Sequence, residues 1–319
     1  MGRYASSRNF GYGKQIKNAG KTALRDFYGQ GHYGTVASHS QRWSQFAAWA
    51  KDEGVRDLAK IDSRELATAY AEHIQTLVEE KKLAVSTAKN HISTVNRTFL
   101  ALRGDQHVNI LPRDYVKNRS NIRTIAPAAL DENRLQHTLS ALREEGLNRG
   151  AAVLELARAF GVRREEAVKA DLNRWSREAN RHGSVNVIDG TKGGRDAPRW
   201  IPIGDMQRQA LQNALAARPT GSANLIASHE SYAQFAISRG GEVYKARAVL
   251  KEHNLPGYHD SRAAYACQRY EQITGSPAPV VTGERIASKQ KDREARAIIS
   301  AELGHGRLDV LNSYIGSSR

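Results

Sequence analysis

Apolar residues recur at three- and four-residue steps along much of the chain, and one stretch carries a strand pattern instead. Such spacing lays an apolar face along a helix. Trp43, Phe46, Ala47 and Ala50 make one face, closed by Gly54. Leu66, Tyr70, Ile74, Leu77 and Val78 make a second, with Asp62 or Ser63 as its cap and acids in the first turn. Ile92, Val95, Phe99 and Leu102 make a third after Val85-Ser86-Thr87. Beyond Pro127 come Leu135, Leu139 and Leu142, then Ala151, Leu154, Leu156, Ala157 and Phe160. The exception lies at 184–189 and 198–203, two β-rich runs around Gly190-Thr191-Lys192-Gly193-Gly194. That pattern predicts a hairpin with Lys192 at its tip. Helices resume after Gly204, and a closing helix is expected over 293–303. The chain is therefore predicted to be mainly α, with one small β-hairpin sheet.

The rhythm also divides the chain. With 319 residues there is room for two domains of ordinary size. Residues 1–34 are rich in Gly, Tyr, Lys and Arg and show little periodicity, which predicts a mobile basic arm. Residues 35–103 are predicted to form a small all-helical domain. Residues 104–126 lose periodicity and carry Arg113, Lys117, Arg119 and Arg123, as a basic flexible linker would. Residues 127–319 form the second domain, with a loose polar insertion over 274–293.

Charge narrows the function. Lys and Arg total 48 against 33 Asp and Glu, a net +15. The surplus lies on both sides of residue 125, as expected if both domains touch one polyanion. Lys89, Asn90, His91, Thr94 and Arg97 read as a polar strip on the outer face of the third helix, suited to a groove or to phosphates. A merely solvated face would look much the same. Arg119 and Arg123 extend the candidate DNA contacts into the linker. No run of about 18 apolar residues occurs, so no membrane span or membrane partner is expected. The N-terminus lacks the apolar block of a secretory signal, and Met1-Gly2 with Ser6 fits a myristoylation pattern only superficially. Cys267 is the only cysteine, which excludes an intrachain disulfide and fits a reducing cytosol.

Six dispersed residues carry the chemistry. Arg163 stands in Gly161-Val162-Arg163-Arg164-Glu165-Glu166, Lys192 at the hairpin tip, and His259 and Arg262 in His259-Asp260-Ser261-Arg262. His305 follows Leu303-Gly304, and Tyr314 comes nine residues later. Each has an ordinary structural explanation by itself: a salt bridge, a turn, a cap, a core aromatic. Together, two arginines, a lysine, two histidines and a tyrosine are a set able to break a phosphodiester without metal.

In order and spacing these motifs resemble the tyrosine recombinases, the family of phage integrases and the Xer and Cre recombinases. The match spans 155–314, and the 35–103 region is similar to the family's SAM-like core-binding domain. The resemblance implies a catalytic domain that is mixed but mostly α. It implies that Tyr314 attacks a scissile phosphate to give a 3′-phosphotyrosyl link. Arg163 and Arg262 would hold the non-bridging oxygens, and Lys192 would protonate the departing 5′ oxygen. His259 would help take the tyrosine proton, and His305 would donate to a phosphate oxygen. It implies double-stranded DNA as partner, a dimer on a site, a tetramer in synapsis through a Holliday junction, and no cofactor or metal. An accessory DNA-bending or directionality factor and a place with the bacterial nucleoid in the cytoplasm go with mobile-element integration or excision. The other readings are a type IB topoisomerase-like relaxing enzyme and a catalytically idle DNA-binding protein.

Two departures from the pattern stand out. Arg262 and His305 are 43 residues apart, wider than in compact members. Only five residues follow Tyr314, where many relatives pass a C-terminal helix to the next protomer. The expectation is that the 274–293 insertion or the N-terminal arm takes over assembly. No separate arm-type domain precedes residue 35, so binding to distant arm sites is not expected.

Overall fold

The structure, a computed structural model, describes residues 7–118, 120–191 and 198–318. It divides into two compact units, 1–120 and 121–319, each around its own apolar core.

The first unit is built on four helices, α1 (Ile16–Tyr28), α2 (Tyr33–Asp52), α3 (Ser63–Glu79) and α4 (Val85–Arg103). Asp62 caps α3 by accepting from Arg64 N at 2.8 Å and Glu65 N at 3.0 Å, satisfying donors the helix start leaves open. Gly104 closes α4 in the left-handed conformation, φ 76°. The core is an aromatic cluster in which Phe46 contacts Trp43, Tyr70 and Phe99, with ring centroids 4.6, 5.0 and 5.8 Å away.

The expectation of a mobile arm over 1–34 is corrected for the described residues 7–34. α1 lies within that range and buries Ile16, Ala19, Ala23 and Leu24. Gly20 lets α1 touch α2, since a Cβ there would sit 2.0 Å from Trp43 Nε1, and that indole donates to Ile16 O at 2.9 Å. The glycines suggested high ordering entropy, but the small-residue face of α1 recovers that cost through close packing. The flexible linker is corrected in the same way. Val108, Ile110 and Val116 are buried in the first unit, and the Asn96 side chain exchanges two hydrogen bonds with the Ile110 backbone, at 2.7 and 3.0 Å.

The second unit is organised around α6 (Asn148–Phe160), which is buried almost all round. Packed against it or following it are α5 (Glu132–Glu144), α7 (Arg164–Lys169), α8 (Leu172–His182), α9 (Asp205–Ala217), α10 (Glu242–Glu252) and α11 (Tyr258–Thr274). Between α8 and α9, β1 (Ser184–Asn186) and β2 (Trp200–Pro202) pair antiparallel, Val185 opposite Ile201. That pairing belongs to the expected hairpin, β1 starting at 184 as expected but ending at 186, and β2 spanning only 200–202. Its tip with Lys192 lies outside the described residues, as does Arg119. The chain closes with α12 (Lys289–Glu302) and the four-residue α13 (Asn312–Ile315).

The insertion over 274–293 is not a loose loop. It holds a short helix, Pro279–Thr282, buries Ala278, Val280 and Ala287, and leads into α12 four residues earlier than expected.

Candidate active site

Arg163 sits where α6 ends and α7 begins. Gly161 turns the chain there at φ 59°, and a Cβ on it would lie 2.3 Å from the Tyr265 ring. Only glycine meets both conditions, the left-handed backbone and the close approach. Arg163 then occupies the position before α7. Its backbone N–H donates to Glu166 Oε2 at 2.7 Å and its guanidinium to Oε1 at 2.6 Å. Its side chain remains about one-third exposed.

Arg262 projects from the first turns of α11 and is fully buried. It donates to Gly161 O, to Leu303 O at 2.5 Å and to the Tyr314 hydroxyl at 3.3 Å. Its Nη2 also lies 3.3 Å from His305 Nε2. His305 follows α12 in a turn held by its own N–H to Ser300 O, 2.8 Å, and by Ser300 Oγ to His305 O, 3.1 Å. His305 Nε2 is 3.2 Å from the Tyr314 hydroxyl. The His259 ring lies against the Tyr314 ring, centroids 5.3 Å apart. Arg163, His259, Arg262, His305 and Tyr314 thus come together from four separate segments.

The charge balance of this cluster favours an anion. Glu166, fully buried, accepts from Arg163 and from Arg199 at 2.9 and 3.1 Å, and lies 3.7 Å from Arg262. Burial pushes the Glu166 carboxyl up, but the hydrogen bonds and charge of Arg199 outweigh it, with Arg163 and Arg262, and hold it at about 2. Three guanidiniums therefore face one ionised carboxylate. Burial lowers Arg262 to about 10. Burial, then the charges of Arg262, Arg163 and Arg199, lowers His305 to about 4. Burial, then Arg262, Arg123 and Arg163, lowers His259 as well. Both histidines are neutral at pH 7 and able to accept a proton. Arg163 lines two concavities. One of about 690 Å³ includes His259, Arg262, Arg164 and Arg247; the other, about 600 Å³, includes Glu166, Arg199 and His305. Among the described residues no group of three or more His, Cys, Asp or Glu is arranged to hold a metal.

Residues 118–268 match the integrase family model. Over that stretch the chain resembles the integrases. Its fold is that of solved recombinases. A lambda integrase dimer bound to a COC′ core site is 15% identical, with 93% of this chain and 94% of that one covered and a TM-score of 0.58. The Tn1549 transposon integrase in complex with circular intermediate DNA is 13% identical, 95% of each chain covered, TM-score 0.57. XerH bound to its difH substrate is 14% identical, 93% and 80% covered, TM-score 0.54. No curated protein matches the chain.

The candidate DNA contacts of the first unit need correction. Thr94 and His91 are buried: Thr94 Oγ1 lies 3.0 Å from His39 Nδ1, and the Tyr70 hydroxyl 3.1 Å from His91 Nδ1. α4 packs against α1, α2 and α3, so its inward face is wider than one stripe. Asn90 and Arg97 are exposed, Arg97 resting 5.7 Å over the Phe27 ring, and half-buried Lys89 donates to Asn118 at 2.8 Å. Arg123 belongs to the second unit, where it donates to the Asp260 carboxylate.

Sequence reasoning missed Glu166 as the hub and Arg199 as its partner. Arg199 had a readable signal. In 198–202 the exposures alternate, and Arg199 shares the inward face with Ile201. A cation on the apolar side of a strand calls for a buried acid.

Proposed function

We propose that this integrase cuts and rejoins duplex DNA at specific sites through a covalent 3′-phosphotyrosyl bond to Tyr314. One observation carries the reading: the Tyr314 hydroxyl lies within hydrogen-bond reach of both Arg262 and His305. Arginine is always a donor, so the Tyr314 oxygen accepts from Arg262 Nε, while His305 Nε2 lies 3.2 Å from that oxygen and 3.3 Å from Arg262 Nη2. The phenol oxygen attacks phosphorus as its proton passes to a neutral histidine beside it, His259 or His305. The P–O5′ bond breaks, and Lys192 supplies a proton to the leaving 5′ oxygen. One phosphodiester replaces another, so the bond energy is kept for rejoining. Arg163 and Arg262 hold the non-bridging oxygens, where the loss of one such donor typically costs about 3–4 kcal/mol of transition-state stabilisation.

The substrate follows the same reasoning. A lambda integrase tetramer has been solved bound to a Holliday junction, and the Tn1549 enzyme with circular intermediate DNA. Here the reading is a dimer on each core site, a tetramer in synapsis, and a mobile element as the DNA exchanged. A nicked suicide duplex tests it, because loss of the short 5′ fragment traps the adduct. Tyr314→Phe is expected to bind that duplex as the parent does and to form no adduct. An adduct with the Phe variant would mean another nucleophile.

A further inference from the structure

The nucleophile stands on α13, a helix of only four residues. So short a helix gains little from its own hydrogen bonds, so its position depends on outside anchors. The backbone N–H of Arg123 donates to Asn312 O at 2.8 Å, and Cys267 Sγ reaches Tyr314 O at 3.7 Å. The strongest anchor is Arg296 of α12. One Nη donates to Asn312 Oδ1 at 3.0 Å, two residues before Tyr314, and the other to Gly316 O at 3.1 Å, two residues after it.

Arg296 is itself fixed. It is 4% exposed, and its Nε donates to both oxygens of Asp292, at 3.0 and 2.9 Å. Asp292 is 4% exposed and also accepts from the Tyr270 hydroxyl at 2.9 Å. Tyr270 lies on α11, the helix that carries His259 and Arg262. A continuous chain of bonds therefore runs from the helix of the phosphate-gripping residues, through Asp292 and Arg296, to both sides of the nucleophile. Gly316 presses on the insertion as well, since a Cβ there would lie 2.7 Å from Val280 N.

We propose that Arg296 is a positioning residue for the strand-transfer reaction, clamping the Tyr314 segment at both ends so that the phenol oxygen meets the phosphate held by Arg262. The proposal rests on Tyr314 being the nucleophile. It needs the planar fork of arginine: three separate donor directions serve Asp292, Asn312 and Gly316 at once. A lysine keeps the charge beside Asp292 but is a single point donor. A misplacement of about 1 Å at a reacting atom can cost on the order of a hundredfold in rate.

The test compares the parent with Arg296→Lys and Asn312→Ala on the nicked suicide duplex. Single-turnover adduct formation, duplex affinity and melting temperature are measured for each. The expected result for Arg296→Lys is adduct formation slowed about tenfold or more, with affinity and melting close to the parent's. Asn312→Ala is expected to slow the same step less, and the double variant to match Arg296→Lys, because both remove one contact. Unchanged adduct rates overturn the proposal. So does a loss of rate that tracks equal losses of affinity and melting in both single variants, which is the signature of a purely structural role. Tyr314→Phe run alongside separates the two ideas, since an adduct with that variant removes the nucleophile assignment rather than the clamp.

Discussion

At the scale of single residues, the site is a problem in burying charge. Glu166 is in the chain's Arg-x-x-Glu run, where its spacing suggests no more than a local pair with Arg163. The structure shows it buried, accepting from Arg163 and Arg199 and lying 3.7 Å from Arg262. Removing one partner of such a buried group typically costs about 3–5 kcal/mol. Glu166→Gln is therefore expected to lower the urea midpoint substantially. Stability also depends on pH. His305 at about 4 lies below the ordinary 6.5, so the unfolded chain binds the proton first, and stability is lost as pH falls from about 6.5 through 4. Glu166 at about 2 adds a further loss as pH falls below about 4.5. Urea unfolding at pH 7, 5.5 and 4 should show falling stability, and His305→Asn should flatten the part between 6.5 and 4. An unchanged slope in that variant would place the acid sensitivity elsewhere. Arg163, His259, Arg262, His305 and Tyr314 were visible as candidates because each sits in a short string with fixed spacing. Their mutual contacts were not, since Arg262 and Tyr314 are 52 residues apart in sequence.

At the scale of elements, helices with a wide apolar face were legible and helices made of small residues were not. α2, α3 and α4 carry large side chains at helical steps. α1 carries Ala19, Gly20 and Ala23, whose value lies in how closely they let Trp43 approach. Composition alone made those residues look like a loose tail. Gly20→Ala should therefore disturb the first core, since overpacking of this kind typically costs about 1–3 kcal/mol. A melting curve that does not move would show that α1 is not seated on Trp43. The same blindness affected α4, where periodicity located Ile92 and Phe99 but assigned His91 and Thr94 to solvent. Both are satisfied inside by His39 and Tyr70, partners that no local pattern reveals. The insertion was misread because its anchors, Val280 and Ala287, are few and unevenly spaced.

For the molecule as a whole, charge is the property that sequence conveyed best. A net +15 on two units predicts binding that depends steeply on salt. If each protomer neutralises six or more phosphates, affinity for duplex DNA should fall by about a thousandfold or more between 50 and 200 mM salt. Fluorescence anisotropy across that range measures the slope, and a flat response would mean that the basic surface is not the DNA face. Arg97→Ala should reduce the slope by about one phosphate without changing site preference. The chemistry itself turns on one atom, the phenol oxygen of Tyr314. Trapping the enzyme on a nicked duplex, digesting both polymers and sequencing the modified peptide by mass spectrometry locates the covalent bond directly. A nucleotide joined through its 3′ phosphate to Tyr314 is the predicted result. The same phosphate on any other side chain, or no covalent peptide at all, would contradict it.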